Sequence, residues 1–136
     1  MGESINHIQL VDDIYKWVYQ SLFNGSGVSI LVDRSESRAG ERPPTINGFI
    51  PDLYVENAPN KLFVIGEAKT YKDLEKKHSR EQFEAFLEKC KAYDNSILVA
   101  AVPWDYVNLA KSILRNLKKK VGAECVRIEV LNPFES

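Results

Sequence analysis

GFIPDLYVE (48–56) followed by KLFVIGEAK (61–69) is the stretch on which the fold turns. Both runs are rich in β-branched and aromatic residues, and Asn57-Ala58-Pro59-Asn60 between them has the composition of a turn. The pair therefore reads as two strands joined by a short link, which favours an antiparallel hairpin. Pro51 has no N–H to give to a ladder, so it predicts an edge or a bulge that bends the first strand just before Asp52.

Upstream, VSILVD (28–33) reads as a further strand. Residues 5–23 place Ile5, Ile8, Val11, Tyr15, Val18 and Leu22 at three- and four-residue spacing, the pattern of an amphipathic helix with Ser4 as N-cap and Asn24-Gly25 as stop. Downstream, 73–93 predicts a helix capped by Asp73 with Leu74, Phe83, Phe86, Leu87 and Cys90 inward. SILVAAV (96–102) is apolar throughout, as a strand covered on both faces should be. A helix over 104–121, ending at Lys118-Lys119-Lys120 and Gly122, and a strand over 125–131 complete the chain. The predicted order is α-β-β-β-α-β-α-β. A three-strand meander followed by a helical crossover implies an α/β class, with one mixed central sheet flanked by helices. Residues 1–136 are expected to form a single domain.

Hydrophobic residues make up 44% and charged residues 27%, which excludes disordered and fibrous classes. No apolar run nears the roughly 18 residues of a bilayer span, and MGESINHIQL has no basic-then-apolar signal pattern. Two cysteines, Cys90 and Cys125, are too few for a disulfide framework or a four-ligand zinc site, and both read as small buried side chains. No membrane partner and a cytoplasmic location are therefore expected. The net charge of −1 hides a division. Residues 1–60 hold four Lys/Arg against eight Asp/Glu, whereas 61–127 hold fourteen against nine. Metal-binding carboxylates within a phosphate-binding surface would give that pattern, and so would ordinary solvated helix faces.

The polar residues inside the two central strands carry the chemistry. Glu67 and Lys69 lie two apart, so their side chains leave a strand on the same face. Asp52 lies on the adjoining strand, where the proline bend can turn its carboxylate toward them. Two such carboxylates suit Mg2+, which binds through few protein oxygens and keeps several waters. A lysine beside them offsets their repulsion and can orient or deprotonate water. A second Glu-x-Lys, Glu75-Lys76-Lys77, falls in a charged helical stretch without such convergence. The competing reading makes Glu67 and Lys69 an ion pair on a solvated strand, with Asp52 a turn carboxylate.

At IPDLYVE and VIGEAKT the chain resembles the PD-(D/E)xK nuclease superfamily, or restriction-endonuclease-like fold. The resemblance spans residues 5 to about 102, where the family core is also α-β-β-β-α-β, and leaves an extra C-terminal α-β. It implies metal-dependent hydrolysis of phosphodiester bonds, most simply in DNA, with Mg2+ or Mn2+ as cofactor. It also implies Asp52 and Glu67 as metal ligands, the Ala68 carbonyl as a further ligand, and Lys69 as the water-positioning residue. Gln82 and Phe86 match a Q-x-x-x-aromatic feature of several branches, which would bring Gln82 to the site to bind phosphate, a metal water or a base. Some members add an acid from the first helix; Asp12, beside the inward face of Ile8, Val11 and Tyr15, is preferred here over Asp13 and Glu3.

Contacts to nucleic acid are expected from Arg38 and Arg42 in the polar loop RSESRAGERPPTING, from His78 and Arg80 beside Gln82, and from Lys118. Tyr54, Tyr71, Trp104 and Tyr106 could stack on bases or simply pack. With so little chain beyond the core, specificity is expected from recognition of DNA structure, from a homodimer or from a partner protein. The alternative from another class is a catalytically silent nucleic-acid or protein-binding module of the same fold. An RNA substrate is neither supported nor excluded.

Overall fold

A computed structural model of the chain describes residues 5–25, 27–38 and 40–132. Helix α1 (Ile5–Trp17) runs into a wider π-helical turn (Val18–Leu22) and stops where Asn24 and Gly25 both take positive φ. Strands β1 (Leu31–Val32), β2 (Leu53–Val55) and β3 (Phe63–Ala68) follow, then helix α2 (Lys77–Cys90) and strand β4 (Ser96–Ala101). A 3-10 turn (Trp104–Tyr106) leads into helix α3 (Val107–Lys120), and β5 (Arg127–Val130) closes the order. The five strands lie in sequence order in one mixed sheet. β1, β2 and β3 pair antiparallel, whereas β3, β4 and β5 pair parallel.

The sheet separates two apolar layers, and the strand period of two assigns residues to each. On one face Val64, Leu53 and Val99 pack against Val11 and Ile14 of α1 and Val18 of the turn that follows it. On the other, Phe63, Ile65 and Leu98 pack against Phe83, Phe86 and Leu87 of α2 and Leu114 of α3. All of β4 is buried, as its unbroken apolar run requires. Gly66 in β3 faces α1, where a Cβ would lie 2.8 Å from Ile14 Cγ2 and 3.0 Å from Leu53 Cβ. Its missing side chain lets the helix approach the sheet at the residue before Glu67.

Several boundaries differ from the sequence reading. β2 starts later than expected because residues 46–49 form their own turn, and β1 is limited to Leu31 and Val32, the residues that pair with it. Asn47 and Gly48 both have positive φ, and Ile46 and Phe49 exchange backbone hydrogen bonds across them. Asn-Gly suits such a two-residue turn, and the strand begins only after it. Pro51 is buried at the entrance to β2, an interior strand and not an edge. Asp73 caps no helix: the turn segment after β3 continues to Lys76, held by the Ser79 hydroxyl donating to the Asp73 carbonyl at 2.5 Å. The inward stripe is Val11 and Ile14 of α1 with Val18 of the turn after it, while Ile8 is 53% exposed. Cys90 is buried, but Cys125 is exposed in the turn before β5. Ser4 and Glu3 lie outside the described residues. Among the described residues no helix is long and apolar enough to cross a membrane.

Strand direction fixes which residues share an end of the sheet. β2 starts where β3 and β4 finish, and β1, antiparallel to β2, finishes there too. The helix following β3 begins at that end, and α3 runs from it toward the opposite end, where β5 starts.

Candidate functional site

Three charged side chains are buried among the described residues: Asp52, Glu67 and Lys69, at 7%, 4% and 8% exposure. All three occupy the end of the sheet where β2 starts and β3 finishes. Glu67 and Lys69 alternate with Phe63 and Ile65, so they face the α2 layer. Asp52 lies one step beyond the registered pair Leu53–Gly66, directly opposite Glu67.

The strand does not remain regular there. Its register would continue with Pro51, and the N–H of Ala68 instead donates to Asp52 Oδ2 at 2.8 Å. In return the Asp52 N–H donates to Glu67 Oε1 at 3.1 Å. The Asp52 carbonyl remains in the sheet, accepting from the Asp33 N–H at 2.9 Å on the β1 side. The bend expected from Pro51 is thus a place where a carboxylate substitutes for a backbone carbonyl. In an extended strand one residue's N–H and C=O point the same way. The Ala68 carbonyl is therefore directed to the Asp52 side.

Lys69 Nζ lies 3.2 Å from Glu67 Oε2 and also donates to Gln82 Oε1, which α2 supplies across the layer. Glu67 and Lys69 do form an ion pair, but a buried one, on a strand with no solvated face. Burial, and then the charge of Asp52, push the Glu67 carboxyl well above the usual carboxylate range, against the opposing pull of Lys69. Burial and the neighbouring Asp52 thus favour the protonated form of Glu67, and the Lys69 ammonium opposes them.

A residue that the sequence did not mark also reaches the cluster. His7, from the first turns of α1 in the opposite layer, places Nε2 3.2 Å from Asp52 Oδ2. A lone histidine on the polar side of a helix carries no local signal, and only the docking of α1 across the sheet end reveals it. Asp12 does not come to the site: it pairs with Lys16 at 3.1 Å, on a different side of the helix from His7. Asp13 is exposed and accepts from Gln9 Nε2 at 3.0 Å.

The expected nucleic-acid contacts divide by place. The loop carrying Arg38 and Arg42 leaves β1 beside Asp52. Arg42 is engaged there, donating to the Ser37 carbonyl at 3.3 Å and lying 3.8 Å from Asp33. His78 and Arg80 are exposed at the start of α2, and the His78 ring meets Phe49 edge-on at 5.4 Å. Lys118 is at the opposite end of the sheet, because α3 runs away from the cluster. There it lines a groove of about 360 Å³ with Lys111, Arg115 and Glu129.

Asp52 and Glu67 supply hard oxygen donors of the kind Mg2+ or Mn2+ takes, and a cation at them would oppose the burial and the Asp52 charge that raise Glu67. The residues present thus fit such an ion. Among the described residues no group of three or more His, Cys, Asp and Glu side chains is arranged to hold a metal.

Neither a protein-family model nor a curated protein sequence matches the chain. A solved structure of SfsA from Pyrococcus furiosus, in complex with Ca2+, is similar in fold, with a TM-score of 0.53 at 10% sequence identity. The similarity covers 92% of this chain and 57% of that one, so this chain spans little more than half the length of SfsA.

Proposed function

We propose that the chain is a metal-dependent nuclease hydrolysing phosphodiester bonds in DNA, a PD-(D/E)xK-like domain extending over residues 1–136. The observation that carries this reading is the convergence of the three buried charged side chains, Asp52, Glu67 and Lys69, on one end of the sheet. Burying charges costs free energy that a purely structural role could avoid with apolar residues. The helix-strand order through β4 supports the restriction-endonuclease-like assignment, and the α3-β5 unit is an addition to that core. The SfsA structure of similar fold holds Ca2+, which supports a divalent ion at the carboxylates here.

In this reading Asp52 and Glu67 hold Mg2+ or Mn2+, with the Ala68 carbonyl directed to the same place. The bound ion supplies charge stabilisation for the phosphate and acidifies water. Lys69, gripped by Glu67 and Gln82, holds its ammonium where it orients the attacking water. His7 fixes the Asp52 carboxylate from behind. Arg38, Arg80 and His78 line the approach for phosphate, while Lys118 has no part.

A second reading, a catalytically silent nucleic-acid or protein-binding module, is favoured by a specific observation. The donor set is two carboxylates already partnered by Lys69 and by backbone N–H groups, with no larger acidic cluster among the described residues. One experiment separates the two. A DNA panel of single strand, duplex, flap and four-way junction is incubated with Mg2+ or Mn2+. Wild type is compared with folded Asp52→Ala and Lys69→Ala. Metal-dependent cutting lost in both variants supports the nuclease; binding without cutting, equal in all three proteins, leaves the binding module.

A further inference from the structure

Apolar side chains are exposed around the charged cluster in a pattern the hydrolytic reading does not require. Of the large apolar residues that are exposed, Ile50 immediately precedes Pro51-Asp52, and Ile8 neighbours His7. Tyr71 follows Lys69 by two residues, and Trp104 follows the end of β4 by three. β3 and β4 are parallel neighbours, so the loops carrying Tyr71 and Trp104 emerge side by side. The Lys69 N–H donating to the Ala101 carbonyl at 3.0 Å marks where they leave the sheet. Tyr71 is 48% exposed and Trp104 61%.

The tyrosine is held in place. Its hydroxyl donates to Asp105 Oδ1 at 2.7 Å, and its ring meets Tyr106 at 4.8 Å and 84°. A ring fixed in this way loses little rotamer freedom when a flat partner lies on it. Exposed cations lie close by: Lys72 follows Tyr71 directly, and Lys77 and Arg80 open α2, among the exposed carboxylates of Glu75, Glu81 and Asp105. Exposed aromatic faces near cations are what an unpaired strand uses, because every base offers a flat face for stacking. A duplex hides those faces in its own stack.

We propose that Tyr71 and Trp104 form a ledge on which unpaired bases of single-stranded DNA stack, directing the adjoining phosphate to Asp52, Glu67 and Lys69. The inference rests on the nucleic-acid reading of that site and adds the strandedness of its substrate.

Binding measured in EDTA tests the ledge independently of turnover. The probes are a fluorescently labelled oligothymidylate and a labelled duplex of equal length. Tyr71→Ala and Trp104→Ala, each checked for unchanged thermal unfolding, are expected to weaken single-strand binding about fivefold or more while duplex binding moves less than about twofold. Tyr71→Phe keeps the ring but loses the bond to Asp105, and is expected to bind single strand between wild type and Tyr71→Ala. Preference of wild type for duplex, or single-strand affinity unmoved by both alanine variants, overturns the ledge. Metal-dependent cutting with no effect of the two variants would leave the hydrolytic reading standing without the ledge. The stacking effect without any cutting would do the reverse.

Discussion

The Ala68 N–H donates to the Asp52 carboxylate at 2.8 Å, so a side chain completes the ladder where β2 departs from β3. Asp52→Asn keeps an acceptor at that point, and Asp52→Ala leaves a buried N–H with none. Both remove the charge, so the difference between them isolates the hydrogen bond. In urea unfolding the alanine variant is expected to be less stable than the asparagine variant by about 1–3 kcal/mol. Equal midpoints would mean that water or a backbone shift satisfies Ala68.

Glu67 gives the fold a pH dependence of defined sign. Its carboxyl is raised above the ordinary 4.5 in the folded chain, by burial first and by Asp52 second, so the folded state holds this proton more tightly than the unfolded state. The group's contribution to stability is therefore greatest below 4.5 and falls as pH rises toward the raised value. Glu67→Gln removes that slope. The stability of the variant relative to wild type is expected to increase from pH 4 to neutrality, read from paired denaturant curves (about 1.4 kcal/mol for each pH unit of full difference). A gap that stays constant across that range would refute the assignment.

Divalent ions are expected to stabilise wild type at neutral pH, since they bind the folded site alone. At one hundred times its dissociation constant an ion contributes about 2.7 kcal/mol, several degrees in thermal midpoint for a chain of this size. Asp52→Asn should abolish most of the shift with Mg2+ or Mn2+. An identical shift in wild type and variant would place the ion elsewhere.

Gly66 sets how closely α1 docks. Gly66→Ala forces a methyl to within 2.8 Å of Ile14 Cγ2, and the expected loss is about 1–3 kcal/mol. Ile14→Ala opens the space, so the double variant should lose less than the two single losses together. Strict additivity would show that the helix simply moves away.

Ser96 at the start of β4 buries a hydroxyl without a hydrogen-bond partner. Ser96→Ala is expected to leave stability unchanged or raise it by about 1 kcal/mol, because no bond is lost and a desolvated polar group is removed. A clear drop in thermal midpoint would reveal a partner for the oxygen.

The sequence made the order of elements readable because each strand or helix carries its own period, and the apolar SILVAA run could only be a covered strand. Glu67 and Lys69 were readable as a pair because a spacing of two is a local fact about a strand. The convergence of Asp52 depended on a register between strands, and Pro51 supplied the hint. His7 was hidden because its partner is 45 residues away and no periodicity links a helix's first turn to a strand's entrance. The distance of Lys118 from Asp52 is hidden for the complementary reason: a basic helix end looks the same at either end of a sheet. The Asn47-Gly48 pair has the composition of a turn, but the β-branched and aromatic run after it pulls the expected strand boundary back to Gly48.

The two thiols stand in opposite circumstances. Burial pushes the Cys90 thiol up to about 12, which leaves almost no thiolate at neutral pH, whereas Cys125 is exposed. Cys125 also precedes β5, so it lies at the end of the sheet away from Asp52 and Glu67. A maleimide reagent should therefore label the wild-type chain at one position, without engineered cysteines. The same anchor would tether the protein to a sensor surface with the carboxylates facing the solution.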